Sequence, residues 1–266
     1  SFGLAAAQVN WMILNALATT LGIGAVSALN FALNLQYVPI ALVGISAAVA
    51  LFPTMSREAL SDGKSFSLRI SGTLNNILLL IVPLSFLFAY LREDVVRILL
   101  GSGLFGPKDI GLTADILGFF IIGVFAQSII PILARSFYAM QNTRIPVLAG
   151  IISVGAGIFL AFRLIDGWGV LALPLSYASM GVLNCLILLL FLKRKITGFS
   201  LSGLAVNFSK IIYASVVMVM VLTLVDVFVD FGVDLGGSIF QVLTFSLIGT
   251  LTFWIFSRIL GLFKQT

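Results

Sequence analysis

The most prominent pattern along this chain is a series of long apolar stretches without Asp, Glu, Lys or Arg. A charge at the centre of a bilayer costs about 2.5–3.5 kcal/mol on insertion scales, and a spanning helix needs roughly 20 apolar residues. The pattern therefore predicts an all-α, polytopic integral membrane helix bundle. The charge-free stretches are residues 1–56, 70–91, 116–134, 145–162, 167–192, 211–225 and 235–257.

The first of these stretches is too long for one helix. Gly22-Ile23-Gly24 lies near its middle, and two glycines so close together favour a turn. Dividing the stretch there gives about eight transmembrane helices. Their predicted bounds are 2–21, 25–53, 68–91, 111–139, 143–163, 168–191, 207–228 and 237–260.

Three prolines inside these segments predict local breaks. Pro39 removes a backbone donor and should kink or break the second helix, and Pro83 and Pro131 repeat the pattern in the third and fourth. Helix breaks recur in transporters, but proline is also common in membrane helices generally, so both interpretations stay open. Between the third and fourth segments, residues 94–100 predict either a short amphipathic helix at the outer interface or a lengthened helix end.

Composition narrows the function classes. The chain is 60% hydrophobic and 9% charged, with a mean hydropathy of +1.18, which excludes an ordinary soluble domain. It has no His and one Cys, Cys185, so the usual imidazole bases, multi-Cys metal sites and internal disulfides are excluded. No Walker loop is present. We expect no enzymatic activity, no cofactor, no metal site and no nucleic-acid partner.

The basic residues predict an orientation. With eight spans, one side of the membrane carries eleven Lys and Arg and the other four, and this bias places both ends of the chain in the cytoplasm. The outer loop between the last two spans carries Asp226, Asp230 and Asp234 and no basic residue, in agreement. The eleven are Arg57, Lys64, Arg69, Arg135, Arg144, Lys193, Arg194, Lys195, Lys210, Arg258 and Lys264, and the four are Arg92, Arg97, Lys108 and Arg163.

Uncharged polar residues are concentrated in the first two spans. Each must find a partner or face a cavity, because lipid offers none. Helical spacing places Gln8 with Asn15 and Asn30 with Asn34. Two interpretations remain open: a hydrated substrate cavity, or interhelical hydrogen bonds that hold the bundle together. The candidate cavity residues are Asn15, Asn30, Asn34 and Gln36.

One stretch carries a family resemblance. Residues 137–147 read FYAMQNTRIPV and closely resemble FYARQDTRTPV, the cytoplasmic-loop signature of the MurJ (MviN) family of lipid II flippases. Within it, Asn142, Thr143, Arg144 and Pro146 form the candidate loop motif. Residues 38–44 (VPIALVG) and 52–57 (FPTMSR) resemble further family segments in the expected order, as do 101–105 (GSGLF) and 112–114 (LTA).

The resemblance implies an architecture and an activity. Such flippases have fourteen helices in two six-helix lobes plus two extra helices, within the multidrug, oligosaccharidyl-lipid and polysaccharide exporter superfamily. Residues 1–200 would form the second lobe and 201–266 the two extra helices, with the first lobe missing from this fragment. The expected partners are membrane lipids, an undecaprenyl-linked peptidoglycan precursor and that N-terminal lobe. The expected location is the bacterial cytoplasmic (inner) membrane, in cell wall synthesis.

This sequence also departs from the family. Leu33-Asn34 stands where many members have an Asp-Arg pair, so the cationic group expected to meet the substrate pyrophosphate is absent. Gly157 and Ala161 occupy positions that often carry Asn or Asp linked to sodium binding, whereas Asn15 keeps a polar site in neutral form.

Three hypotheses follow. The first is the C-terminal half of a lipid II flippase that works by alternating access. The second is a divergent membrane scaffold without transport, and the third is an exporter of another lipid-linked glycan or a drug. Under the first, four aromatic residues of the last two spans would line a groove for the polyprenyl tail, or simply face lipid: Phe208, Phe228, Phe240 and Phe245.

Overall fold

The computed structural model describes residues 2–61, 63–101, 105–196, 198–229, 232 and 234–262, and every regular element in them is helical. Eleven α-helices follow one another along these described residues. They are α1 (Phe2–Thr19), α2 (Ala25–Pro39), α3 (Ser46–Ser61), α4 (Gly63–Tyr90), α5 (Arg92–Leu100), α6 (Pro107–Ile121), α7 (Val124–Ala139), α8 (Arg144–Trp168), α9 (Ala172–Lys195), α10 (Leu201–Phe228) and α11 (Leu235–Ile259).

The helices confirm an all-α membrane bundle. In the part of the chain that the structure describes, five segments are long and apolar enough to cross a membrane, or six when the bent pair α6–α7 counts as one span. One of the five, Arg144–Lys195, folds back on itself through a 3₁₀ turn at Gly169–Leu171, and its halves α8 and α9 pack against each other. This segment thus contains two of the predicted spans, and the predicted count of eight is approximate.

The turn between α1 and α2 forms at the predicted glycines. Gly22 and Gly24 have φ angles of 125° and 86°, a left-handed backbone that residues with a Cβ adopt only at a cost. The 1–56 stretch is therefore divided at the predicted position.

The prolines behave differently from one another. At Pro39, α2 ends in a π-helical turn, Ile40–Ile45, which leads directly into α3, so the predicted break is a local widening of the helix. Pro83 and Pro131 lie inside α4 and α7, which continue through them. The fourth predicted span is instead bent by 45° between α6 and α7. At that bend Gly123 lies against Ala178 of α9, and a Cβ on Gly123 would come within 2.7 Å of the Ala178 Cα.

Close backbone contacts at glycines hold α7 between its neighbours. A Cβ on Gly44, in the π-helical turn, would overlap the Ser128 carbonyl of α7. On the other side of α7, a Cβ on Gly181 would come within 2.6 Å of the Gln127 Nε2. Small residues allow helices in membranes to approach closely, where packing drives association. The position of the α2–α3 helix in the bundle therefore depends on Gly44.

The two ends of the bundle differ in charge. We call the end that carries α5, the α1–α2 turn and the start of α11 the α5 end, and the opposite end the basic end. Ten of the eleven predicted cations lie at the basic end, and the eleventh, Lys264, lies outside the described residues. Asp230 and the 102–104 part of the family-like loop segment also lie outside them. Helix α5 confirms a separate amphipathic helix over Arg92–Leu100.

Candidate functional site: polar residues of the first two helices

Two of the predicted cavity residues contact each other across α1 and α2. The Asn30 Nδ2 donates to the Asn15 Oδ1 at 2.9 Å and also to the Val26 carbonyl at 2.8 Å. The Asn15 Nδ2 donates to the Trp11 carbonyl at 3.0 Å. Both side chains are half-buried. The pair joins the two helices, and it leaves further acceptor capacity on the Asn15 and Asn30 carbonyl oxygens.

The other two predicted residues lie in opposite environments. Asn34 is exposed, one helical turn beyond Asn30, whereas Gln36 is only 1% exposed. The Gln36 Oε1 has no hydrogen-bond partner among the described residues. The structure therefore brings Asn15 and Asn30 together, directs Asn34 outward and places Gln36 inside the bundle.

Further polar groups inside the bundle also lack partners. Asn10, in α1, is 1% exposed, and its Nδ2 has no hydrogen-bond partner among the described residues. The same holds for side-chain atoms of Thr113, Gln127, Ser153 and Asn184. None of these residues is among the four predicted cavity residues. Ser and Thr in helices usually bond to a preceding carbonyl, as Ser128 does to Val124 at 2.8 Å, so sequence alone gives no signal for the exceptions.

The family-like loop forms a tight connection between α7 and α8. Gln141 adopts a φ of 56°, and the Asn142 backbone N–H donates to the Phe137 carbonyl at 2.8 Å. The Asn142 Oδ1 then accepts from the Ile145 backbone N–H at 3.3 Å and so caps the start of α8. Thr143 and Arg144 are exposed, and Pro146 lies in the first turn of α8, where its missing N–H costs nothing. The motif thus fixes the turn and leaves Thr143 and Arg144 accessible.

The positions where the family often carries sodium-linked residues are packing positions here. Gly157 and Ala161 are buried in α8, and a Cβ on Gly157 would lie 3.0 Å from the Met180 Cβ. Neither side chain offers an oxygen ligand. Among the described residues there is also no group of three or more His, Cys, Asp or Glu that could hold a metal ion.

Two apolar clefts lie beside α10 and meet at a pair of aromatic rings. The rings of Phe125 and Phe208 have centroids 5.1 Å apart, and both residues line both clefts. One cleft, of about 350 Å³, lies between α4, α7, α9 and α10 and is lined by Cys185 among others. The other, of about 280 Å³, extends toward the α5 end along Ser85 and Ile212.

The remaining predicted aromatic residues of the last two helices lie elsewhere. Phe245 is fully buried, with its ring 5.8 Å from that of Tyr90, whereas Phe228 and Phe240 are 83% and 62% exposed. Of the four, only Phe208 lines these two clefts.

Comparisons with known proteins match the chain to one family. A family described as "Lipid II flippase MurJ" matches residues 1–243. A "Probable lipid II flippase MurJ" of Bdellovibrio bacteriovorus is 26% identical over 82% of this chain and 42% of its own length. The "Lipid II flippase MurJ" of Burkholderia cenocepacia is 28% identical over 73% of this chain and 38% of its own. The chain thus spans about two fifths of the length of these curated relatives.

Solved structures show the same fold. A lipid II flippase MurJ in an inward closed conformation superposes with a TM-score of 0.81, at 23% identity, over 97% of this chain and 52% of that one. An outward-facing multidrug resistance MATE family transporter gives a TM-score of 0.63 at 15% identity, over 95% of this chain and 59% of that one.

Proposed function

This chain belongs to the MurJ family of lipid II flippases, and we propose that it forms the second lobe of such a flippase together with two additional helices. In this proposal residues 1–200 are the lobe and residues 201–266 the additional pair. The protein carries an undecaprenyl-linked peptidoglycan precursor from the inner to the outer leaflet by alternating access. It moves the lipid without chemical conversion, and it does so against a facing lobe.

The observation that carries the proposal is the exposed polar position on α2. Asn34 lies about 14 Å along α2 from Ala25, at 1.5 Å per residue. A carboxamide at that depth would lose its hydrogen bonds against lipid. A water-filled cavity between this helix and a facing lobe satisfies it. The neighbouring Asn15–Asn30 pair and the orphaned Gln36 oxygen extend the polar character of the same helices.

The polar side chains that α1 and α2 contribute to the proposed cavity are uncharged. Carboxamides donate and accept hydrogen bonds and suit the sugar hydroxyls, peptide groups and phosphate oxygens of the head group. They carry no charge to offset a pyrophosphate, and no cation precedes Arg57 in the sequence. We therefore assign charge neutralisation to the facing lobe and hydrogen bonding of the head group to Asn15, Asn30, Asn34 and Gln36.

The lipid tail has a candidate position beside α10. The two clefts that meet at Phe125 and Phe208 are almost wholly apolar and lie along the first turns of that helix, from Leu201 to Ile212. An isoprenoid chain has no hydrogen-bonding groups, so its burial in an apolar cleft is favourable and leaves no hydrogen bond unmade. The outward-facing Phe228 and Phe240 then contact membrane lipid.

We place the protein in the bacterial cytoplasmic membrane with its basic end in the cytoplasm. Lys and Arg are favoured on that side, and the basic end carries the exposed run Lys193-Arg194-Lys195 at the end of α9. Both ends of this chain are then cytoplasmic, and the exposed loop residues Thr143 and Arg144 face the cytoplasm.

The test is complementation of a bacterium depleted of its own flippase. The chain is expressed with its facing lobe, and membrane insertion is checked separately. We expect restored growth and cell shape, and loss of both in Asn34→Leu at unchanged protein level. A matched substitution at lipid-facing Leu243, Leu243→Ile, should leave growth unchanged. Failure of the unaltered protein despite normal insertion contradicts the proposal.

The absence of a cation on the cavity side of α1 and α2 favours a second candidate, a membrane scaffold that kept the fold without transport. A count of arginines in the first two spans of the facing lobe separates the two. Three or four arginines there support an anionic lipid substrate, and none supports the scaffold.

A further inference from the structure

A group of polar side chains joins α5 to α11. The Ser238 Oγ, in the first turn of α11, donates to the Asp94 Oδ1 at 2.8 Å. The Arg97 Nη1 donates to the Ser238 Oγ at 3.0 Å and pairs with the same Asp94 oxygen at 3.3 Å. Three groups thus form a closed triangle between α5 and α11.

A second set of contacts lies next to this triangle. The Tyr90 hydroxyl, at the end of α4, donates to the Asp226 Oδ2 of α10 at 3.1 Å. The Gln241 Nε2 of α11 donates to the other oxygen of Asp226 at 3.3 Å. We call these six residues, Tyr90, Asp94, Arg97, Asp226, Ser238 and Gln241, the α5 network.

Burial makes the triangle more than a surface ion pair. Ser238 is fully buried, and the side chains of Asp94 and Arg97 are only 13% and 24% exposed. Ion pairs open to water contribute little, whereas a half-buried charge pair that loses one partner leaves the other uncompensated. Ser238 is also fixed in place, because its backbone N–H donates to the carbonyl of Asp234, the residue that caps α11.

Helix α11 has few contacts with the lobe apart from those with α5. It packs mainly against α10 and α5 and touches α4 at few positions. A small apolar cluster of Leu91, Met218, Leu222 and Phe245 lies beneath the network. At the basic end, a hydrogen bond from the Lys210 Nζ to the Leu260 carbonyl at 3.3 Å joins α10 to the end of α11.

We infer that the α5 network is a positioning device that fixes α11 to the lobe at the α5 end, through the triangle in which Arg97 contacts both Asp94 and Ser238. This inference rests on the proposed function, because the attachment makes the two additional helices, α10 and α11, move with the second lobe as one body during alternating access. The short helix α5 thereby acquires a role as the attachment point of α11.

Distances between two spin labels test the inference in the intact protein. The labels are placed on exposed Leu99 of α5 and exposed Phe240 of α11, after the single thiol of this chain has been removed by Cys185→Ala and any thiol of the facing lobe has been replaced as well. We expect one narrow distance population in the unaltered network. Arg97→Gln should add a second, longer population, and Arg97→Lys should restore most of the narrow one.

A matched control removes a charge at the same end without touching the network. Arg163 lies over the Phe159 ring, with 5.3 Å between its guanidinium carbon and the ring centroid, and Arg163→Gln should leave the distances unchanged. If Arg97→Gln does not give monodisperse protein, Ser238→Ala tests the same triangle by removing one hydroxyl. A single unshifted population in folded Arg97→Gln or Ser238→Ala overturns the inference. The distances are read without transport, so failed complementation by the unaltered protein counts against the proposed function alone.

Discussion

The helix pairs α1–α2 and α10–α11 differ in where their polar side chains lie. In α1–α2 polar side chains lie within the helices, with Asn15 bonded to Asn30 and Asn34 exposed. In α11 the exposed side chains of the middle turns are apolar except Thr250, whose hydroxyl donates to the Ser246 carbonyl of the same helix. The polar contacts of Asp226 and Ser238 with neighbouring helices lie near the helix ends. Under the proposed function, the α2 surface at Asn34 faces water and the α11 surface faces lipid.

The largest expected effect is on the packing of the helix that carries Asn30, because Gly44 lies in the π-helical turn that continues α2. Gly44→Leu places a side chain where the Ser128 backbone already lies, so it should destabilise the fold by about 3 kcal/mol or more. Thermal unfolding in detergent measures the change. Gly150→Leu is the matched control, since nothing lies within 4 Å of a Cβ there. Equal melting temperatures for the two variants would contradict the close contact between the π-helical turn and α7.

A reciprocal exchange of side chains tests the contrast between the two surfaces. Leu243→Asn puts a carboxamide on the lipid-facing side of α11 and should cost about 1–3 kcal/mol. Asn34→Leu should leave the unfolding free energy nearly unchanged but abolish transport, because it removes a polar group from the cavity wall. Reversible unfolding in lipid micelles compares them. A larger stability loss for Asn34→Leu would mean that Asn34 serves packing.

The smallest effect belongs to the hydrogen bond between α1 and α2. A double-mutant cycle with Asn15→Leu and Asn30→Leu should give a coupling energy of about 0.6 kcal/mol, the average for such bonds in membranes. The same unfolding assay measures it. A coupling energy of zero would show that the 2.9 Å contact adds nothing to the association of the two helices.

Sequence predicts the helices better than their interruptions. Charge-free stretches locate the spans because lipid excludes charges wherever the neighbours lie, and glycines with positive φ locate the α1–α2 turn. The bend at Gly123 was missed in favour of Pro131, because it depends on the approach of Ala178 from α9, which local sequence does not encode.

The candidate site was predictable only as a set of residues. Helical spacing placed Asn30 and Asn34 on one side of α2, yet only the packing of α1 decides that Asn30 is paired and Asn34 is exposed. The α5 network lies beyond sequence reasoning altogether, because Arg97 and Ser238 are 141 residues apart.

Water access at matched depth tests most directly whether the α2 surface faces a cavity. Single cysteines replace Asn34 and Leu243, nine and eight residues into their helices, in a Cys185→Ala background with the facing lobe present. Both proteins are reconstituted in liposomes and treated with a membrane-impermeant maleimide. We predict rapid labelling at position 34 and none at position 243. Equal protection of both cysteines would contradict a hydrated cavity at α2.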